Sequence, residues 1–210
     1  MATLTKPKPK PAKKTRMTVR EFLALPPDEH CETELIYGEM IVMPKPRPKH
    51  NRMLYRLGHI VDQWVYHLQL GTVFFDNDMI LDENNALVYA LDLMFLANEN
   101  ADRYRDELVF GPVDLCVEIL SPSNRPNLQE RKFADYERHG IPWYWVIDPH
   151  AEQPTLRENH LIEGRYECRS EIVGDQWFEP GLFPGLVFRL PPLLEGDLKA
   201  AVKGKAKKLM

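Results

Sequence analysis

The sequence predicts a mixed α/β (α+β) fold in which a central mixed sheet is flanked by helices. From Met53 to Leu68 the apolar residues Met53, Leu54, Leu57, Ile60, Val61, Trp64, Val65 and Leu68 recur at the spacing of one helical face. Four apolar runs bounded by Gly, Pro, Asn or Asp read as strands: TVFFDNDMIL (72–81), LVYALDLMFLA (87–97), VDLCVEIL (113–120) and PWYWVID (142–148). A second helix, over about Pro126 to His139, separates the last two. Helix, three strands, helix, strand is an order that builds a sheet with helices packed against it. With 210 residues and 44% hydrophobic content the chain can form one substantial core, expected over 17–198.

Each element has a local warrant. MTVREFLALP (17–26) opens the domain as a short helix with Thr18 as N-cap and Glu21 completing a capping box; Pro26 and Pro27 end it. TELIYGEMIVM (33–43) is a hairpin turning at Tyr37-Gly38, stopped by Pro44, Pro46 and Pro48. The main helix ends near Gly71, and Pro126 and Gly140 suit the first turn and the C-cap of the second. TLRENHLI (155–162) and RYECRSEIV (165–173) flank Glu163-Gly164 as a C-terminal hairpin, and EPGLFPGLVFRLPPLL (179–194) packs as a tail of the same domain. The N-terminal helix and hairpin and the C-terminal hairpin are thus additions to the core.

The net charge of −4 conceals a partition. Residues 1–16 hold six bases and no acid, residues 199–210 hold five lysines and no acid, and the body between keeps 16 bases against 31 acids, a net of −15. The two basic ends read either as disordered, solubilising tails or as nonspecific anchors for nucleic acid. Within the body, bases gather once: PKPRPKHNRMLYR (44–56) has Lys45, Arg47, Lys49, Arg52 and Arg56 with no acid among them, either a solvated loop or a phosphate contact. Cys31, Cys116 and Cys168 are too widely spaced for a disulfide framework or a zinc site. With no apolar run long enough for a membrane span and no signal-like apolar segment after the first lysines, the expectation is a cytoplasmic protein without a membrane partner.

Two carboxylates interrupt apolar strands. Asp92 shares a face with Ala90 and Met94 at period two, while Tyr89, Leu91, Leu93 and Phe95 take the other; Glu118 shares a face with Cys116 and Leu120. An unpaired buried carboxylate costs several kcal/mol, and like charges on neighbouring strands make each other worse. A basic side chain, a proton or a divalent cation must offset this, and hard oxygen donors from one or two carboxylates are what Mg²⁺ takes. In the second helix, positions 128, 132, 135, 136 and 139 form one stripe, marked as sheet-facing by Leu128 and Tyr136. Lys132 on that stripe points toward the strand ends, where it serves a site, neutralises Glu118 or Asp135, or snorkels to solvent.

Asp on one strand, Glu on the next and Lys beyond resemble the PD-(D/E)xK nuclease superfamily. The ordered set MTVREFLALP, ELIYGEMIVMPKPRPKH, LDLMFLANE, VDLCVEILSPSN, RKFADYERHGIPWYWVIDP and GLFPGLVF resembles its Uma-two branch of restriction endonuclease-like proteins, from about Met17 to Leu193. The resemblance implies a restriction endonuclease-like core and a Mg²⁺-dependent phosphodiesterase site, with Mn²⁺ as a substitute. Asp92 and Glu118 match the motif acids; the lysine expected two residues after Glu118 is replaced by Leu120, and Lys132 stands for it on the following helix. Glu34 and His50 match the upstream Glu and His. Because the main helix has no Glu, Glu34 or Glu39 takes the place of the helix-borne glutamate of other members. Leu91 stands where the family usually has Pro, and Tyr37 and Asn127 where it favours Asp.

On this resemblance Asp92, Glu118 and the Ile119 carbonyl hold the metal, Lys132 orients water and meets the developing charge, and Lys45, Arg47, Lys49, Arg52 and Arg56 contact DNA. His50 contacts phosphate, shuttles a proton, or is a capping or core histidine. The expected function is DNA hydrolysis by an endonuclease, a homodimer suiting duplex cutting. The alternatives are a catalytically degenerate nuclease fold that binds nucleic acid or protein, and a hydrolase of smaller phosphate esters.

Overall fold

In the computed structural model, residues 16–26, 31–122 and 126–209 are described. The basic N-terminal segment therefore lies outside the described residues except for Arg16. The capping box is formed: Thr18 Oγ1 accepts the Glu21 N–H and the Glu21 carboxylate accepts the Thr18 N–H, starting helix α1 (Val19–Leu23). Strands β1 (Cys31–Ile36) and β2 (Glu39–Pro44) pair antiparallel. Tyr37 (φ 50°) and Gly38 (φ 80°) carry the two positive φ angles of a type I′ hairpin turn. A Cβ on Gly38 would stand 2.9 Å from Arg16 Cβ and 3.1 Å from the Met17 carbonyl, so glycine is needed for space as well as for φ.

Pro48 occupies the first turn of α2 (Pro48–Leu68), which starts earlier than its apolar period because proline fits the first helical position. Strands β3 (Gly71–Asp82) and β4 (Leu87–Ala97) form a long antiparallel pair. After a 3₁₀ turn over Asn98–Arg103 come β5 (Tyr104–Arg105) and β6 (Leu108–Phe110), the latter parallel to β3; runs of two and three residues carry no sequence period. Strand β7 (Leu115–Ile119), helix α3 (Pro126–Arg138) and strand β8 (Trp143–Asp148) make a crossover between parallel strands. The hairpin of β9 (Thr155–Ile162) and β10 (Arg165–Val173) extends the sheet, whose order is β10-β9-β8-β7-β4-β3-β6-β5, with β1 paired to β4 and β2 to β1.

The chain finishes with β11 (Val187–Phe188), α4 (Leu190–Glu195), α5 (Leu198–Ala201), β12 (Val202–Lys203) and α6 (Ala206–Leu209). This corrects the expectation of a solvated tail after 198. β12 pairs with β11, and Ala201, Val202 and Ala206 are buried in the core beneath α2. Small apolar residues spaced among the lysines anchor the segment, a pattern that the lysine count masks.

The core has a layer on each side of the sheet. Leu93, Phe95, Leu115 and Val117 pack with α2 and with Phe178, Phe183 and Phe188, whereas Met94, Cys116 and Tyr144 pack with Tyr136 of α3. Strict alternation would put Tyr89 and Leu91 with Leu93 and Phe95, yet both join the α3 side. The change falls where β4 exchanges partners, pairing with β7 at Leu93–Phe95 but with β1 at Val88. The sheet forks there. No helix among the described residues is long and apolar enough to cross a membrane.

Candidate active site

The fork leaves backbone groups to be satisfied by side chains. The β4–β7 ladder ends at Leu93 opposite Val117, and the Ile119 N–H donates instead to Asp92 Oδ2 at 2.6 Å. Asp92 thereby closes the gap that its own strand opens. Glu118 sits between Val117 and Ile119, and its carboxylate turns to α3. Lys132 Nζ donates to both Glu118 oxygens, at 2.8 and 3.0 Å, and Tyr136 OH donates to Oε1 at 2.9 Å. From the hairpin side, Glu34 Oε1 approaches Lys132 Nζ to 2.8 Å as an ion pair whose angles fall outside hydrogen-bond geometry. Glu34, Glu118 and Lys132 are 0%, 5% and 4% exposed, so all three charges are cut off from bulk water.

His50, in the first turn of α2, places Nε2 3.0 Å from Asp92 Oδ1, and its Nδ1 lies 3.2 Å from Asn51 Oδ1. A cavity of about 60 Å³ is lined by Glu32, His50, Asp92, Glu118, Ile119 and Lys132, with Pro44, Pro46, Ser121 and Gln129 at its walls. Six elements therefore meet at it: the hairpin strands β1 and β2, the start of α2, the forked pair β4 and β7, and α3.

Burial pushes the Glu118 and Glu34 carboxyls up, and Lys132 opposes that in both. Burial pulls Lys132 down, but the Glu118 and Glu34 charges outweigh it and hold the ammonium charged. Two carboxylates share one lysine, leaving a buried net charge of −1 when all three are ionised. Burial likewise lowers His50, yet the Asp92 hydrogen bond and charge, with help from Asn51 and Glu32, raise it overall. Glu32, half-buried on the cavity wall, is pushed up to about 7 by burial and by the nearby Asp76 and Asp92.

Of the residues expected from the sequence, Glu34, His50, Asp92, Glu118, Ile119 and Lys132 come together here. Glu39 does not: it is exposed on β2 beside Arg16, Tyr37 and Arg131. The basic stretch divides. Lys45, Arg47 and Lys49 are exposed between and after the prolines that line the cavity. Arg56 Nη1 instead donates to the carbonyls of Leu193 (2.5 Å) and Leu194 (2.9 Å), and Arg52 Nη1 to that of Leu194 (3.4 Å), so both tie α4 to α2. Unpaired carbonyls at a helix end attract guanidinium donors, a demand invisible in the charge count.

Sequence reasoning missed two residues. Glu32 is two residues before Glu34, and period two on β1 puts both on one face. Tyr136 lies on the Lys132 stripe, where it served only as a packing marker, while its hydroxyl holds Glu118. Around it runs a further network: Tyr89 and Tyr37 donate to Asp135 at 2.7 and 2.5 Å, and Arg138 donates to the Tyr37 hydroxyl at 3.1 Å.

Among the described residues no three His, Cys, Asp or Glu side chains form a ready-made metal cage. Mg²⁺ does not need one, since it keeps several waters and binds through one or two carboxylates. Asp92 and Glu118 open on one cavity with more than the roughly 10–15 Å³ that a single water occupies on this measure, so the donor set fits a hydrated hard cation.

The family model Uma2, described as "Putative restriction endonuclease", matches residues 19–191. Comparison with curated proteins finds no match. A solved structure from Anabaena variabilis, described as a putative nuclease belonging to DUF820, is 19% identical, with a TM-score of 0.68 over 85% of this chain and 98% of that one. At that identity the likeness is one of fold: a restriction endonuclease-like mixed sheet flanked by helices.

Proposed function

Because the chain belongs to the Uma2 family, we propose that it is a Mg²⁺-dependent endonuclease hydrolysing phosphodiester bonds of DNA, with Mn²⁺ as a substitute cation. Family membership supports a nuclease function; the observation that supports the finer reading is the juxtaposition of Asp92 and Glu118 across the strand fork, with Lys132 held between Glu118 and Glu34. A scaffold gains nothing from burying two carboxylates around one ammonium with a third, Asp92, on the same cavity.

Asp92, Glu118 and Ile119 would hold the metal, which when bound supplies Lewis acidity toward a phosphate oxygen and lowers the pKa of water. Lys132, fixed by two carboxylates, keeps a full positive charge where the pentavalent phosphate develops negative charge. Tyr136 and Lys132 set the Glu118 carboxylate, and His50 sets that of Asp92, so little reorganisation accompanies reaction. Lys45, Arg47 and Lys49 neutralise flanking phosphates at the cavity rim. A homodimer suits both strands of a duplex, whose phosphates are related by two-fold axes. A light-scattering mass equal to one 24.5 kDa chain at micromolar concentration removes that part.

Plasmid cleavage with Mg²⁺ or Mn²⁺ tests the site. Asp92→Ala, Glu118→Ala and Lys132→Ala are each expected to lower the rate on the order of 100-fold or more. Equal residual cleavage by wild type and all three variants sinks the assignment.

One observation favours a second reading, a degenerate nuclease fold that only binds: both Glu118 oxygens already accept hydrogen bonds from the protein. Calorimetry decides between the two, because a wild type that takes up neither Mg²⁺ nor Mn²⁺ is a scaffold.

A further inference from the structure

The folded C-terminal segment carries Lys199, Lys203, Lys205, Lys207 and Lys208 and no acid. All five are exposed, while Ala201, Val202 and Ala206 among them are buried. Burial fixes the segment against α2: α6 packs on that helix, and Lys205 Nζ lies 5.6 Å from the Trp64 ring centre. At its other end α4 is tied to α2 by Arg52 and Arg56. With a rise of about 1.5 Å per residue, Arg56 is roughly 9 Å and Trp64 roughly 21 Å along α2 from His50. The Trp64 contact therefore places Lys205 roughly 21 Å along α2 from the cavity, a distance of about six base-pair steps at about 3.4 Å each.

Residues 17–198 have 16 bases against 31 acids, whereas 199–210 have five lysines and no acid; the exposed Asp175, paired with Arg189, and Glu195 and Asp197 border the segment. A body with that excess needs no lysines for solubility. Trp177, 38% exposed, adds an aromatic face between Arg189 (4.8 Å to the ring centre) and Lys203 (4.4 Å). Lysines held on a folded segment present fixed cations, which suit the regularly spaced phosphates of a duplex backbone more than the fluid headgroups of a lipid layer.

We propose that this lysine surface is a phosphate-contact track that holds duplex DNA leading away from the active site. The proposal rests on the reading of the chain as a DNA nuclease. Its contacts are to the backbone, so it adds affinity without sequence preference, and each phosphate neutralised steepens the fall of log K with log salt by about 0.9.

The test measures binding of the full chain to a short duplex by fluorescence anisotropy over a salt series, with plasmid cleavage followed in parallel. The triple variant Lys199→Gln, Lys207→Gln, Lys208→Gln leaves the Trp64 and Trp177 contacts in place; its slope is expected to fall by about 2–3 while its melting temperature stays that of wild type. The corresponding triple Lys→Arg variant keeps the wild-type slope. A Gln variant with the wild-type slope overturns the track, and does so alone if the wild type cleaves DNA. Loss of binding to anionic phospholipid vesicles with duplex binding unchanged overturns it in favour of a membrane surface. A wild type that neither binds nor cleaves the duplex overturns the track together with the nuclease reading.

Discussion

Without the Lys132 ammonium, Glu34 and Glu118 would face each other in a space closed to bulk water. Lys132→Met is therefore expected to destabilise the fold by about 3–5 kcal/mol in urea unfolding, well beyond an exposed lysine's share. The lysine was legible as a site candidate from its helical stripe; its second partner, Glu34, was suggested only by family likeness, because contact between β1 and α3 is non-local. The acids nearby make stability depend on pH. Burial raises Glu32 to about 7, and burial with Glu34 and Asp76 raises Asp78 to about 6, from ordinary values of 4.5 and 3.8. Between the low and the raised values the folded state binds more protons than the unfolded one, so their contribution is full below the unfolded values and is lost as pH rises through the folded ones. His50, also raised, acts in the same direction. Metal-free protein should melt at a higher temperature at pH 6 than at pH 8, and Glu32→Gln should shrink that difference; a melting temperature that climbs with pH contradicts the assignment.

Elements depend on close approach as much as on period. The helical face of α2 was readable from Met53 to Leu68, but the reason for Gly58 was not. A Cβ there would lie 2.0 Å from Phe75 Cε1, so glycine lets α2 sit down on β3. Gly58→Ala should cost about 1–3 kcal/mol by denaturant midpoint, despite alanine's better helix propensity; a stabilised variant would mean that Phe75 yields freely. Boundaries were best read where both a period and a stop signal exist, as in β4, β9 and β10. They were missed in β5 and β6, where neither does.

At the scale of the whole molecule the sheet's fork makes the site. Two acids on apolar strands were visible in the sequence, yet their spacing says nothing of a strand that changes partner between Val88 and Leu93. Register is set by distant segments, and so is the cavity. The same holds for the C-terminal segment, whose lysines read as a tail while Ala201, Val202 and Ala206 bind it to α2. Ending the chain at Asp197 should cost on the order of 2–4 kcal/mol of stability from lost apolar burial, measured by chemical denaturation. An unchanged midpoint would return the segment to the status of an appendage.

The bracketing of Trp177 by Arg189 and Lys203 has an optical consequence. Trp64 and Trp145 are buried and Trp143 stacks on His160 with ring centres 3.9 Å apart, so the indole that solvent reaches most is the one set among the cations. Intrinsic emission from Trp177 is thus a label already in place: a polyanion drawn onto Lys203 should exclude water from the ring and move the emission to shorter wavelength, and Trp177→Phe should silence the change.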